Sequence, residues 1–172
     1  MMTTNPLCPI CTEEVFMGFH PRKASPILIV TDEPEIVDGG LSNAIQLVRT
    51  EMAREQLDLY AMSYVPLYRH FTPQNVKNPK KNKDCVAAHT QWLFEELKNH
   101  RIIFACGVDI VKVLTKQSSQ AVSGLVVPSE LLSDGKILVC AISPKQAWAM
   151  TVGEMRLAVQ TLANEVQKLK EL

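Results

Sequence analysis

The chain has no excess charge of either sign and few aromatic side chains. Eighteen basic residues balance eighteen acidic residues over 172 positions, and aromatic residues make up 6% of the sequence. Nucleic-acid binding would therefore require a local basic patch, because no overall positive field would attract a polyanion. The neutral balance slightly favours a protein partner over a module that binds only DNA.

Long apolar runs are also missing, and the number of cysteines is odd. No stretch approaches the ~20 apolar residues that cross a bilayer, and no apolar segment follows the polar start of the chain. This start predicts that there is no secretory signal peptide. Because five cysteines cannot all form pairs, we expect a reducing intracellular compartment, the cytoplasm, in which the thiols are free or bind metal.

The hydrophobic content is that of an ordinary globular domain. With 47% hydrophobic residues, a chain of this length can bury a core and does not need a metal merely to fold. We therefore expect residues 1–172 to form a single domain, in which a metal would reinforce one region or supply chemistry.

Short apolar segments alternate with helical patterns along the chain. Strands are predicted at residues 27–31, 59–65, 102–106 and 137–142. Helices with one apolar face are predicted at residues 42–57, with Ser42 as the N-cap, from Asp84 onward, at residues 108–115 and near the carboxyl terminus. This alternation predicts an α/β fold, a three-layer α/β/α sandwich around a central, mostly parallel four-stranded sheet. Functional groups are then expected at the carboxyl ends of the strands.

A C-x-x-C pair, Cys8 and Cys11, precedes the first predicted strand. Two thiolates on one tight turn can hold a metal ion or a cluster, although a zinc half-site and a redox pair share this pattern. A structural site needs about four ligands. Cys85 and His70 are the strongest candidates to complete the set, and His20 is an alternative to His70.

Other ligand-capable residues have simpler interpretations. Cys106 and Cys140 lie at or near the ends of apolar strands, where buried thiols are common, so we expect them in the core. His89 follows Cys85 by four positions, and we expect it to be packed or exposed rather than a ligand. Asp32 and Glu33 either carry chemistry or shape the turn after the first strand.

The order of these features resembles the iron–sulfur branch of the uracil-DNA glycosylase superfamily, over most of the chain. Cys8 and Cys11 match the cysteine pair that precedes the first strand in that family. Residues 32–34 lie at the position of its Glu-Ala-Pro loop, residues 44–48 resemble the helix after that loop, and residues 102–107 are similar to its strand that ends in glycine.

The resemblance also implies a cofactor and its ligands. Cys85, near the start of a predicted helix, matches the fourth cysteine of the family, whereas the third falls near Leu67, which cannot bind metal. His70 is the nearest residue that can replace it. The implied metal ligands are therefore those of a [4Fe–4S] cluster, with zinc as the alternative: Cys8, Cys11, His70 and Cys85.

Departures from the family pattern bear on catalysis. Ser63 stands where the family has a polar residue that reads the edge of uracil. Gly40 lies near the position of the family's stacking aromatic ring, and Ser143 stands in place of the family's histidine. Base excision needs stacking on the base, hydrogen bonds to its edge and stabilisation of the leaving group. The residues that would supply these interactions are missing, and only the Asp32 carboxylate remains of the catalytic groups. The resemblance therefore implies a degenerate module that binds DNA or docks as an accessory factor in replication or transcription. The alternative is an active uracil-DNA glycosylase with Asp32 and Ser143 as catalytic residues.

A lysine-rich segment offers one local basic patch. Residues 77–83 contain four lysines and no acidic residue, a pattern that suits either phosphate contacts or a solvated linker. The resemblance places this loop beside two basic strand ends, and together they would form a nucleic-acid-binding basic rim: Arg69, Lys80, Lys81, Lys83 and Lys145.

Overall fold

A four-stranded sheet with helices on both faces organises the chain. The computed structural model describes residues 6–10, 14–37, 40–70 and 83–171. The strands are β1 (Ile27–Thr31), β2 (Ile36–Val37), β3 (Gly40–Leu41), β4 (Ser63–Pro66), β5 (Ile102–Cys106) and β6 (Ile137–Ala141). The helices are α1 (Asn43–Arg54), α2 (Lys83–Lys98), α3 (Val108–Thr115), α4 (Ser119–Val122), α5 (Pro144–Ala149) and α6 (Val152–Lys170), and a 3₁₀ turn spans Leu59–Ala61.

The central sheet has the strand order β4-β1-β5-β6, and all its neighbouring pairs are parallel. In β1, Leu28 lies opposite Ser63 on one side and Ile103 on the other. A short antiparallel ribbon of β2 and β3 lies outside this sheet. The predicted α/β fold with a parallel four-stranded sheet is therefore confirmed.

Alternate residues of each strand supply two separate apolar cores. Ile29 and Phe104 pack on one face of the sheet with residues of α1 and α6. Leu28 and Ile103 pack on the other face with residues of α2 and α3. Because both faces are covered, the strands are almost entirely buried and carry continuous apolar runs instead of an alternating pattern. This arrangement produces the three layers.

Two predicted boundaries differ from the structure by at least three residues. The segment predicted as a strand at residues 59–65 begins as a 3₁₀ turn, in which the Asp58 side chain accepts a hydrogen bond from the Tyr60 amide at 3.0 Å. The strand itself starts at Ser63. The first helix begins after Ser42, as predicted, but ends at Arg54 rather than at residue 57. Gln56 follows with φ of 60°, which cannot continue a right-handed helix.

Candidate functional site

The amino-terminal segment, which comprises the described residues 6–10 and 14–20, runs along the outer edge of the sheet beside β4. Val15 forms an antiparallel bridge with His70, and Phe19 forms one with Tyr64. The Phe16 amide donates to the Arg69 carbonyl at 2.8 Å, which adds a further backbone link. These contacts cover an otherwise open strand edge and carry the segment that contains Cys8 towards the start of α2.

Cysteine and histidine side chains from three parts of the chain meet at this edge. Cys8 Sγ lies 3.6 Å from Cys85 Sγ and 3.4 Å from His89 Nε2. The ligand atoms of Cys8, His70 and His89 all lie within 4.8 Å of one another and could hold a metal ion. We refer to Cys8, His70, Cys85 and His89 as the Cys/His group.

The Cys/His group is largely enclosed. The side chains of Cys8, Cys85 and His89 are buried, and His70 is half-buried. The ring of Trp92 stacks on His89 with 4.9 Å between centroids and 17° between planes. Burial lowers the pKa of His89 to about 4, with smaller contributions from His70 and the Arg69 charge. Its imidazole is therefore neutral at pH 7, as metal coordination requires.

The structure brings the predicted ligands Cys8 and His70 together with His89, and it places the third predicted ligand, Cys85, in contact with Cys8. The fourth predicted ligand, Cys11, lies outside the described residues. His89 lies one helical turn beyond Cys85, so the two side chains share a face of α2. That spacing is the sequence signal for His89, but it does not say which face of the helix meets the amino-terminal segment.

Asp32 has a structural contact at the carboxyl end of β1. Its carboxylate accepts hydrogen bonds from the amides of Asp109 at 3.0 Å and Ile110 at 2.8 Å, the first turn of α3. This is favourable, because the first amides of a helix lack partners within the helix. Burial nevertheless raises the pKa of Asp32 to about 6, opposed by those two amides and reinforced by the Asp109 and Glu33 charges.

Ser143 has a similar role at the carboxyl end of β6. It is the N-cap of α5, where its hydroxyl accepts a hydrogen bond from the Gln146 amide at 3.1 Å. Lys145 forms an ion pair with Glu33 beside it. Both residues predicted to act in catalysis, Asp32 and Ser143, therefore accept hydrogen bonds from helix amides.

The structure corrects one member of the predicted basic rim. Arg69 is completely buried, its Nη1 donates to the Met17 carbonyl at 3.1 Å, and its Cζ lies 5.7 Å from the centre of the Trp92 ring. A guanidinium enclosed in this way is not on an exposed rim, because the chain turns it inward beneath the amino-terminal segment. Of the other members, Lys145 is exposed but paired with Glu33.

The three remaining members of the basic rim are not placed by the structure. Lys80 and Lys81 lie outside the described residues, and at Lys83 only the backbone, at the start of α2, is described.

Among the cysteines, Cys106 and Cys140 lie in the core as predicted, both with 0% exposure. Burial raises the pKa of both thiols, for Cys140 to about 12. Neither thiol is therefore a thiolate at neutral pH, which fits packing rather than chemistry.

Comparison with known proteins adds no family or named relative. No protein-family model matches this chain, and no curated protein matches it. Among the described residues, no helix combines the length and apolar character needed to cross a bilayer.

Proposed function

We propose that this protein is a non-excising, glycosylase-like module in which a Cys/His metal centre fixes the amino-terminal segment. It acts as an accessory factor that docks on DNA or on a protein of a replication or transcription complex. The observation that carries this proposal is the engagement of the Asp32 carboxylate with the first amides of α3.

Excision would require Asp32 to face a substrate or an attacking water. Both of its carboxylate oxygens accept backbone hydrogen bonds, Oδ2 from Asp109 and Oδ1 from Ile110. Gly107 packs so closely that a Cβ there would lie 2.5 Å from the Cγ of Asp32 and closer still to its Oδ1. Asp32 therefore has a sufficient structural reason to be present without catalysis.

The exposed groups at the same end of the sheet favour docking on a protein. Trp148 in α5 is 59% exposed, and Met150, just after that helix, is 79% exposed. An exposed tryptophan is a common anchor of protein–protein contact surfaces, where it often contributes strongly to affinity. Within the predicted basic rim, Arg69 is buried and Lys145 is paired with Glu33. Of that rim, the lysine-rich segment therefore remains for contact with DNA.

Active uracil excision is the second candidate, and the pKa of Asp32 is the observation that favours it. A carboxyl group whose pKa is raised to about 6 at the carboxyl end of a parallel strand has properties common among catalytic acids and bases. A structural network of hydrogen bonds produces such pKa values as well, and the assay below separates the two origins.

A glycosylase assay on uracil-containing single- and double-stranded oligonucleotides tests the proposal. We expect no uracil release above the buffer background, while an authentic uracil-DNA glycosylase cleaves the same substrates. Release that disappears in Asp32→Ala and persists in Asp134→Ala, a change at an exposed position, would establish the enzymatic alternative.

A further inference from the structure

We propose that the Cys/His group binds one metal ion of the zinc class, with His89 as a ligand beside Cys8, Cys85 and His70. This inference rests on the proposed function only in treating the group as a metal centre. It differs from the [4Fe–4S] cluster that the family resemblance implies, both in the number of metal atoms and in the role of His89.

Two of the distances between ligand atoms, both from Cys8 Sγ, are close to those of a tetrahedral single-ion site. Metal–sulfur bonds of ~2.3 Å and metal–nitrogen bonds of ~2.0–2.1 Å place two sulfurs ~3.8 Å apart, and a sulfur and a nitrogen ~3.6 Å apart. The observed separations are 3.6 Å between the sulfurs of Cys8 and Cys85 and 3.4 Å between Cys8 Sγ and His89 Nε2. Small outward shifts of these side chains would make room for one ion between them.

A cubane cluster does not fit these positions. Each protein ligand of such a cluster binds a different iron at a different corner of the cube. Two ligand sulfurs therefore cannot be in van der Waals contact, as Cys8 Sγ and Cys85 Sγ are here. The His89 imidazole, 3.4 Å from Cys8 Sγ, also occupies space beside that sulfur that a cluster would need.

The ligands come from elements that are already fixed relative to one another. Cys85 and His89 project from one face of α2, four positions apart, a spacing that lets two helical side chains bind the same ion. His70 follows β4 and is held by its bridge to Val15. Cys8 comes from the amino-terminal segment, so an ion would link three separate parts of the chain.

The surroundings suit a structural ion rather than a catalytic one. Cys8 is 1% exposed, Cys85 2% and His89 1%, and Trp92 covers the His89 ring. Four protein ligands in a closed site leave no open coordination position for a substrate or water. The expected contribution is therefore to the attachment of the amino-terminal segment.

Cobalt titration of the full chain provides the test. The protein is purified anaerobically, analysed for zinc, iron and acid-labile sulfide, stripped of metal and titrated with Co²⁺. We expect one Co²⁺ per chain, thiolate-to-cobalt charge transfer, the intense visible bands of tetrahedral cobalt, and displacement of the cobalt by Zn²⁺.

Two variants separate the single-ion site from the family cluster. His89→Asn should weaken Co²⁺ binding by about 100-fold or more, because loss of even an outer-shell partner costs about 10–100-fold. Cys11→Ser should bind like the wild type. The structure places His20, the alternative to His70, beside Glu96 and outside the Cys/His group, so His20→Asn is the matched control and should also bind normally. If His89→Asn does not fold, His89→Cys should retain the ion and add charge-transfer intensity from a third thiolate.

Three results would overturn the inference. These are iron and sulfide at about four of each per chain, loss of metal in Cys11→Ser with unchanged binding in His89→Asn, and a folded protein that takes up no metal. The first two leave the proposed function intact, whereas uracil release in the glycosylase assay would refute that function whatever metal is bound.

Discussion

Replacing Asp32 by asparagine should change how the stability of the protein depends on pH. Asp32 lies partly buried at the end of β1, and burial is the largest cause of the rise in its pKa from 3.8 to about 6. Asparagine has nearly the same shape and can still accept a hydrogen bond from an α3 amide, but it cannot ionise. The variant therefore isolates the effect of the charge.

The direction follows from proton binding. Between pH 3.8 and about 6, the folded state keeps a proton on Asp32 that the unfolded state has lost. The stabilisation from this group is thus complete below pH 3.8 and is lost as the pH rises through 6. A pKa difference of this size corresponds to at most about 3 kcal/mol. The free energy of unfolding of Asp32→Asn, relative to wild type, should accordingly increase by most of that amount from pH 4 to pH 7.

Denaturant unfolding at a series of pH values from 4 to 7.5 measures the difference. Groups that do not interact with Asp32 contribute equally to both proteins and cancel in the comparison, and the Asp32 charge is the smallest of the causes that shift the pKa of Glu35. Asp134→Asn, at an exposed carboxylate, should give a curve parallel to wild type. A constant difference between Asp32→Asn and wild type across this range would refute the assigned cause, and so would a difference of the opposite sign.

Two further predictions concern the helix contact and the basic loop. Gly107→Ala would place a Cβ 2.5 Å from Asp32 Cγ and closer still to Oδ1, so we expect a loss of about 1–3 kcal/mol in the free energy of unfolding. Gly153→Ala, where there is room, should cost much less, and equal losses would contradict this explanation. The second prediction applies to three lysines, Lys80, Lys81 and Lys83. Their joint replacement by alanine should reduce the salt slope of single-stranded DNA binding by up to about 2, at ~0.7 per phosphate contact. Fluorescence anisotropy over a salt series measures that slope, and undetectable binding at low salt, or an unchanged slope, would leave docking on a protein as the favoured role.

The sequence alone determined the sheet and much of its helical cover. The segments at residues 27–31 and 102–106 were predicted with the bounds that the structure shows for β1 and β5. Buried parallel strands have apolar side chains on both faces, so their sequence is an uninterrupted apolar run with clear ends. Ser42 was likewise identifiable as a cap, because its hydroxyl satisfies a local amide, that of Ile45.

Tertiary structure decided what the polar residues do. Asp32 contacts amides 77 and 78 positions away, and the approach of Cys8 to His89 spans 81 positions. Arg69 looked like a surface cation in sequence, yet the amino-terminal segment covers it and leaves its Nε and Nη2 without a hydrogen-bond partner within the described residues. Apolar periodicity records which face of an element is buried, but not which distant group it meets. The partners of Asp32, Arg69 and His89 therefore followed only from the packing of the whole chain.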